Sequence, residues 1–213
     1  ALIIDEAEKF GDNVRQALSI TIKSGDIRRL LNRINGTFKR KGFLQIIKGV
    51  LKKLSRGTGT NKESAGHALE KVEDLKVNLS LFEENLKEFI NQIHPRKMKI
   101  PPLMSLLPVF ENEDSSIKAL LDPVISPLKA ANQTLQDLQT DDFPLYKQYK
   151  EKCESYRVLI SEVESTFEEI IDDFSSKKYA HQYNGNLSKW VITKKPVYIR
   201  DILYESLYSR VNH

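Results

Sequence analysis

Phe43, Ile46, Ile47, Val50, Leu51 and Leu54 fall at i, i+3, i+4, i+7, i+8 and i+11, which in a helix puts them all on one side. Lys41, Gln45, Lys48 and Lys52 fall on the other side, and Lys39, Arg40, Lys53 and Arg56 add to the positive charge around them. An apolar stripe backed by fixed cations has one evident chemistry, adsorption to an anionic surface. Burying one such apolar side chain is worth ~1.5–3 kcal/mol, and each cation near an anionic leaflet adds about 1 kcal/mol. The expectation is that Lys39, Arg40, Lys41, Lys48, Lys52, Lys53 and Arg56 contact lipid. Phe43, Ile46, Ile47, Val50, Leu51 and Leu54 then insert among the acyl chains. The competing reading is a core helix whose lysines face water.

Charge supports a local docking surface. From Ile27 to Lys62 there are eleven basic residues and no acidic one, while the whole chain carries a net +4. The remainder therefore nets −7, an acidic body bearing one basic segment. Nucleic acid is the less expected anion, because only Phe38 and Phe43 are interleaved with the cations as stacking aromatics. No zinc-finger, RNP or helix-turn-helix signature accompanies them.

Catalytic patterns are missing: there is no GxxxxGK[ST], GxGxxG, HExxH or GxSxG. Gly57-Thr-Gly59 reads as a plain loop. His67, His94, His181 and His213 show no ligand spacing, so no metal site, cofactor or enzymatic activity is expected. Cys153 is the lone cysteine, which excludes an intrachain disulfide and fits a cytoplasmic setting. No run of 18 or more apolar residues is available to span a bilayer, so membrane association is expected to be peripheral.

The elements that must position this segment read as helices. Ala7, Phe10, Val14, Leu18, Ile22, Leu30, Leu31 and Ile34 suggest one or two helices over 1–36, ending at Asn35-Gly36. The basic amphipathic segment occupies 37–62, where Gly42 and Gly49 each cost about 1 kcal/mol of helix propensity. Over 63–176 the seam Ala65, Ala68, Val72, Leu75, Leu79, Phe82, Leu86, Phe89 and Ile93 alternates spacings of three and four. His94-Pro95 ends it.

A second seam runs from Ile117 to Leu138, with Pro123 and Pro127 marking a kink or a fresh start capped by Asp122. A third runs from Tyr146 to Phe174. Residues 177–213 read as a helical extension in which Leu187, Trp190 and Val191 resume the pattern. The predicted fold is all-α: a single domain built as an elongated antiparallel bundle or coiled coil of three long helices, with additional N- and C-terminal helices.

One family shares this order. The run Phe38-Lys-Arg-Lys-Gly-Phe-Leu-Gln-Ile-Ile-Lys48, the turn Arg56-Gly-Thr-Gly-Thr60 and three heptad helices together resemble the BAR-domain superfamily over about residues 37–176. Ile117-Lys-Ala-Leu-Leu-Asp-Pro-Val124 is similar to the stretch that opens a middle helix there. The resemblance implies a curved homodimer or heterodimer that shapes or senses anionic membrane. The alternative is a soluble scaffold that recruits protein partners in cytoskeletal or trafficking assemblies, with the basic segment inside its core.

Overall fold

The computed structural model describes residues 7–57, 61–93, 104–105, 114–139, 143–171 and 178–199. The chain opens with helix α1 (Ala7–Ala17), strand β1 (Ile20–Lys23) and helix α2 (Ser24–Asn35). A tight hairpin of β2 (Gly36–Thr37) and β3 (Arg40–Lys41) leads into helix α3 (Phe43–Leu54). Three long helices follow, α4 (Asn61–Ile93), α5 (Asp114–Asp137) and α6 (Tyr146–Ile171), with strand β4 (Met104–Ser105) between the first two. Strands β5 (Tyr179–Gly185) and β6 (Trp190–Pro196) complete the described elements.

The seams fold as their spacing dictates. All nine seam residues of α4 are buried, as are Leu121, Val124, Leu128, Ala131, Leu135 and Leu138 along and just after α5. In α6, Tyr149, Cys153, Ile160, Phe167 and Ile170 are buried and Tyr156 and Val163 half-buried; Ile117, Tyr146 and Phe174 lie outside the described side chains. Phe82 and Phe167 meet edge to face, ring centres 6.4 Å apart at 76°, and lock α4 to α6. The α4 helix runs to Ile93, and the expected stop at His94-Pro95 lies outside the described residues.

The two prolines neither break α5 nor begin a new helix. Pro127 has no N–H to give the carbonyl of Pro123 four residues back. The Asn85 side chain of α4 supplies the missing donor, its Nδ2 lying 2.6 Å from the Pro123 oxygen. A neighbouring helix thus heals the gap.

A purely helical fold is overturned. Strands β1, β6, β5 and β4 form one antiparallel sheet in that order. Ile20 to Lys23 pair with Lys194 to Val191, and Tyr179 to Gly185 pair with Pro196 to Trp190. Ile20-Thr-Ile and Trp190-Val-Ile-Thr are short β-branched runs, which suit a pleated surface better than a helix. The helical extension expected from residue 177 is therefore a β-hairpin over 179–196, and residues 200–213 lie outside the described ones. The fold is mostly helical with a small sheet made from both ends of the described chain.

A polar tie joins sheet to bundle. Lys194 is buried in β6, and its Nζ donates to the Glu169 carbonyl at 2.8 Å near the C-terminal end of α6. Its charge also sits 4.5 Å from the centre of the Tyr179 ring. A cation at this end of a helix meets the negative pole of the backbone dipole.

Candidate functional site

The basic segment is two elements rather than one helix. Gly36, at φ +90°, turns the chain out of α2. In the hairpin Gly36 pairs with Lys41 and Thr37 with Arg40, leaving Phe38 and Lys39 at the tip. The Thr37 hydroxyl accepts the Arg40 N–H at 3.2 Å and tightens the turn. Gly42 caps the N-terminus of α3 instead of lying within a helix. A side chain at Gly42 would drive a Cβ to 2.1 Å from the Gly36 nitrogen, so the hairpin closes only on two glycines.

Most of the apolar stripe expected to insert into membrane faces inward in the fold. Phe43, Ile47 and Leu51 are buried together with Leu44, and Val50 and Leu54 pack against the same core. Ile46 alone turns outward, with 40% of its surface exposed. The physical reason is supply: α4 and α6 offer an apolar trough within the same chain. Phe43 lies 6.0 Å from the ring of Tyr149 and 5.0 Å from that of Tyr156. Burial in this trough satisfies the stripe before any lipid is met.

The cations divide into two sets. Lys48 is half-buried and its ammonium pairs with Glu73 of α4, so it is not the free lipid contact expected of it. Lys39, Arg40, Lys41, Lys52, Lys53 and Arg56 are exposed. Lys52, Lys53 and Arg56 also cluster at the C-terminus of α3, where positive charge complements the helix dipole. The structure therefore places the free cations at both ends of a helix about 18 Å long.

Helix α2 widens this surface. Ile27, Leu30, Leu31 and Ile34 are its buried face, and Arg28, Arg29 and Arg33 are exposed. Arg29 pairs with Asp26, and Arg28 donates to the Ser188 carbonyl at 3.0 Å. Burial pushes the Tyr156 phenol above its ordinary pKa, opposed by the positive charge of Arg33 beside it. Phe38, which no periodicity marks out, is fully exposed at the hairpin tip. Its sequence signal was an aromatic placed between a turn glycine and three cations. No pattern marked Arg28, Arg29 and Arg33 as part of the same face, because that depends on how α2 sits against α3 and α6.

Cys153 is fully buried, and burial pushes its thiol up to about 11. Among the described residues no three His, Cys, Asp or Glu side chains converge on one point. None of the described helices is long and apolar enough to cross a membrane. Comparison with family models, with curated proteins and with solved structures brings no match.

Proposed function

We propose that the face built from the β2–β3 hairpin, α2 and the ends of α3 binds nucleic acid, with single strands preferred over duplex. The observation that carries this reading is Phe38, an exposed aromatic at the tip of a hairpin whose next three residues are Lys39, Arg40 and Lys41. Cations neutralise phosphates whatever the sequence. An aromatic ring adds a stacking platform worth ~1–3 kcal/mol per unpaired base. Phe43, the other candidate for stacking, is committed to the core.

The buried stripe weighs against lipid as the leading partner. Moving Ile47 or Leu51 from the core to acyl chains exchanges one apolar setting for another and strips their neighbours in the trough. A membrane would be held by the six free cations, at about 1 kcal/mol each, with Phe38 and Ile46 as its only wedges. Adsorption to an anionic leaflet through this same face is the second reading, and the exposure of Phe38 is what favours it. A protein scaffold would use the helical bundle and needs none of these cations.

Fluorescence anisotropy decides among them, with labelled oligothymidylate, its duplex and phosphatidylserine vesicles compared over a salt series. Single-strand binding that weakens with salt, with log K against log salt falling at about −0.7 per phosphate neutralised, is the expected result. Phe38→Ala lowers affinity without altering that slope, and Lys39→Ala with Lys41→Ala flattens it. Vesicle binding with no oligonucleotide binding assigns the face to membrane instead.

A further inference from the structure

Along α2, from Ser24 to Asn32, lies a hollow of about 140 Å³ between α2, α4 and the β5–β6 turn. Ile27, Ile90 and Trp190 line it, and Leu187, half exposed on the turn, forms an outer wall. Arg28 and Asn32 lie on its α2 side, and on its α4 side Glu83 is paired with Lys87 at 2.8 Å, leaving that side without net charge. Two bonds hold the hollow in shape: Arg28 to the Ser188 carbonyl at 3.0 Å, and the Trp190 backbone N–H to the Ser24 hydroxyl at 3.1 Å. Pockets for drug-sized ligands measure roughly 300–1,000 Å³, so this smaller space suits a single flat ring system.

We infer that the hollow receives one unstacked base of the strand that the hairpin engages, which rests on the nucleic-acid reading above. Its apolar lining suits a ring face, and the Asn32 amide and Arg28 guanidinium offer hydrogen bonds to a base edge. The outward face of α2, about 18 Å long, carries Arg28, Arg29 and Arg33 from this hollow to the Gly36 hairpin. A backbone following those cations away from Phe38 passes beside the hollow, which Arg28 and Asn32 line. Charge complementarity and the size of the hollow thus point to the same occupant.

Trp190 is the only tryptophan in the chain, so its emission reports on the hollow alone. Oligothymidylate and an abasic strand of equal length are titrated against the full chain, following both the anisotropy of the labelled strand and Trp190 fluorescence. The expected result is that both strands bind, the abasic one more weakly because it lacks bases for both Phe38 and the hollow, and that only the base-bearing strand changes Trp190 emission. Leu187→Ala and Asn32→Ala, both at solvent-facing positions, weaken that strand toward the abasic value and leave the abasic strand unaffected. Equal Trp190 responses to the two strands, or no response while both bind, overturn the hollow and leave the hairpin reading standing. Absence of an anisotropy change with either strand removes both.

Discussion

Gly36 and Gly42 approach so closely that a Cβ added to Gly42 would stand 2.1 Å from the Gly36 nitrogen and 2.4 Å from the Asn35 carbonyl carbon. The contact is backbone against backbone, so no side-chain rotation relieves it. Gly42→Ala is expected to open the hairpin, lower stability by about 1–3 kcal/mol, as forcing atoms into a filled space does, and abolish the contribution of Phe38 to binding. Gly49→Ala is the control: nothing lies within 4 Å of its added Cβ, and it gains up to about 1 kcal/mol of helix propensity. Urea midpoints of the two variants must move in opposite directions.

Ile47 and Ile46 are neighbours in sequence and opposites in environment. Ile47→Ala opens a cavity under α3 and is expected to cost about 2–5 kcal/mol, whereas Ile46→Ala stays within about 1 kcal/mol. A membrane wedge would show the reverse sensitivity in vesicle binding, with both variants equally stable.

The cations separate in the same way. Lys48→Glu sets a carboxylate against Glu73 and is expected to lower the melting temperature. Lys52→Glu with Lys53→Glu removes two free positive charges and weakens oligonucleotide binding, with the melting temperature nearly unchanged. Thermal melts and anisotropy on the same samples separate the two effects.

Asn85 and Pro127 form a testable pair. Asn85→Ala withdraws the donor from the Pro123 carbonyl and costs about 0.5–1.5 kcal/mol. In a Pro127→Ala background the new backbone N–H reaches that carbonyl, and the cost of Asn85→Ala falls toward zero. A double-mutant cycle that shows strict additivity contradicts this account of the unbroken helix.

His181 gives the fold a pH dependence. Burial lowers its pKa from 6.5 to about 4, aided by the charge of Lys194 across the strand pair, while a hydrogen bond to the Ile170 backbone resists the shift. Because the folded pKa lies below the unfolded one, the unfolded chain binds the extra proton first as pH falls. Stability is complete above about pH 6.5 and declines through the window down to about 4. The loss is at most about 3 kcal/mol at 1.36 kcal/mol per pKa unit. His181→Gln flattens that part of the profile of urea midpoint against pH.

The bundle was legible in the sequence because every one of its seams is local. Ala65 to Ile93 repeats without a slip, and such a pattern admits one folded answer. The sheet was not legible in the same way. Ile20-Thr21-Ile22 is too short to outweigh a neighbouring helical period, and its partner strand is more than a hundred residues away. The stripe of α3 was read correctly as one face, but periodicity does not say which way a face turns. That depended on whether α4 and α6 left a trough to receive it. Phe38 and Phe43 look alike in the sequence as aromatics among cations, and only packing separates the exposed ring from the buried one.

Thr21 and Thr193 touch through their hydroxyls although 172 residues separate them. The three long helices lie between β1 and β6 in sequence, so this pairing closes one of the longest loops in the described fold and bears a correspondingly large entropic cost. Tension applied across the two ends of the described chain would unzip that same seam first, freeing the flanking segments while the helical body keeps its shape.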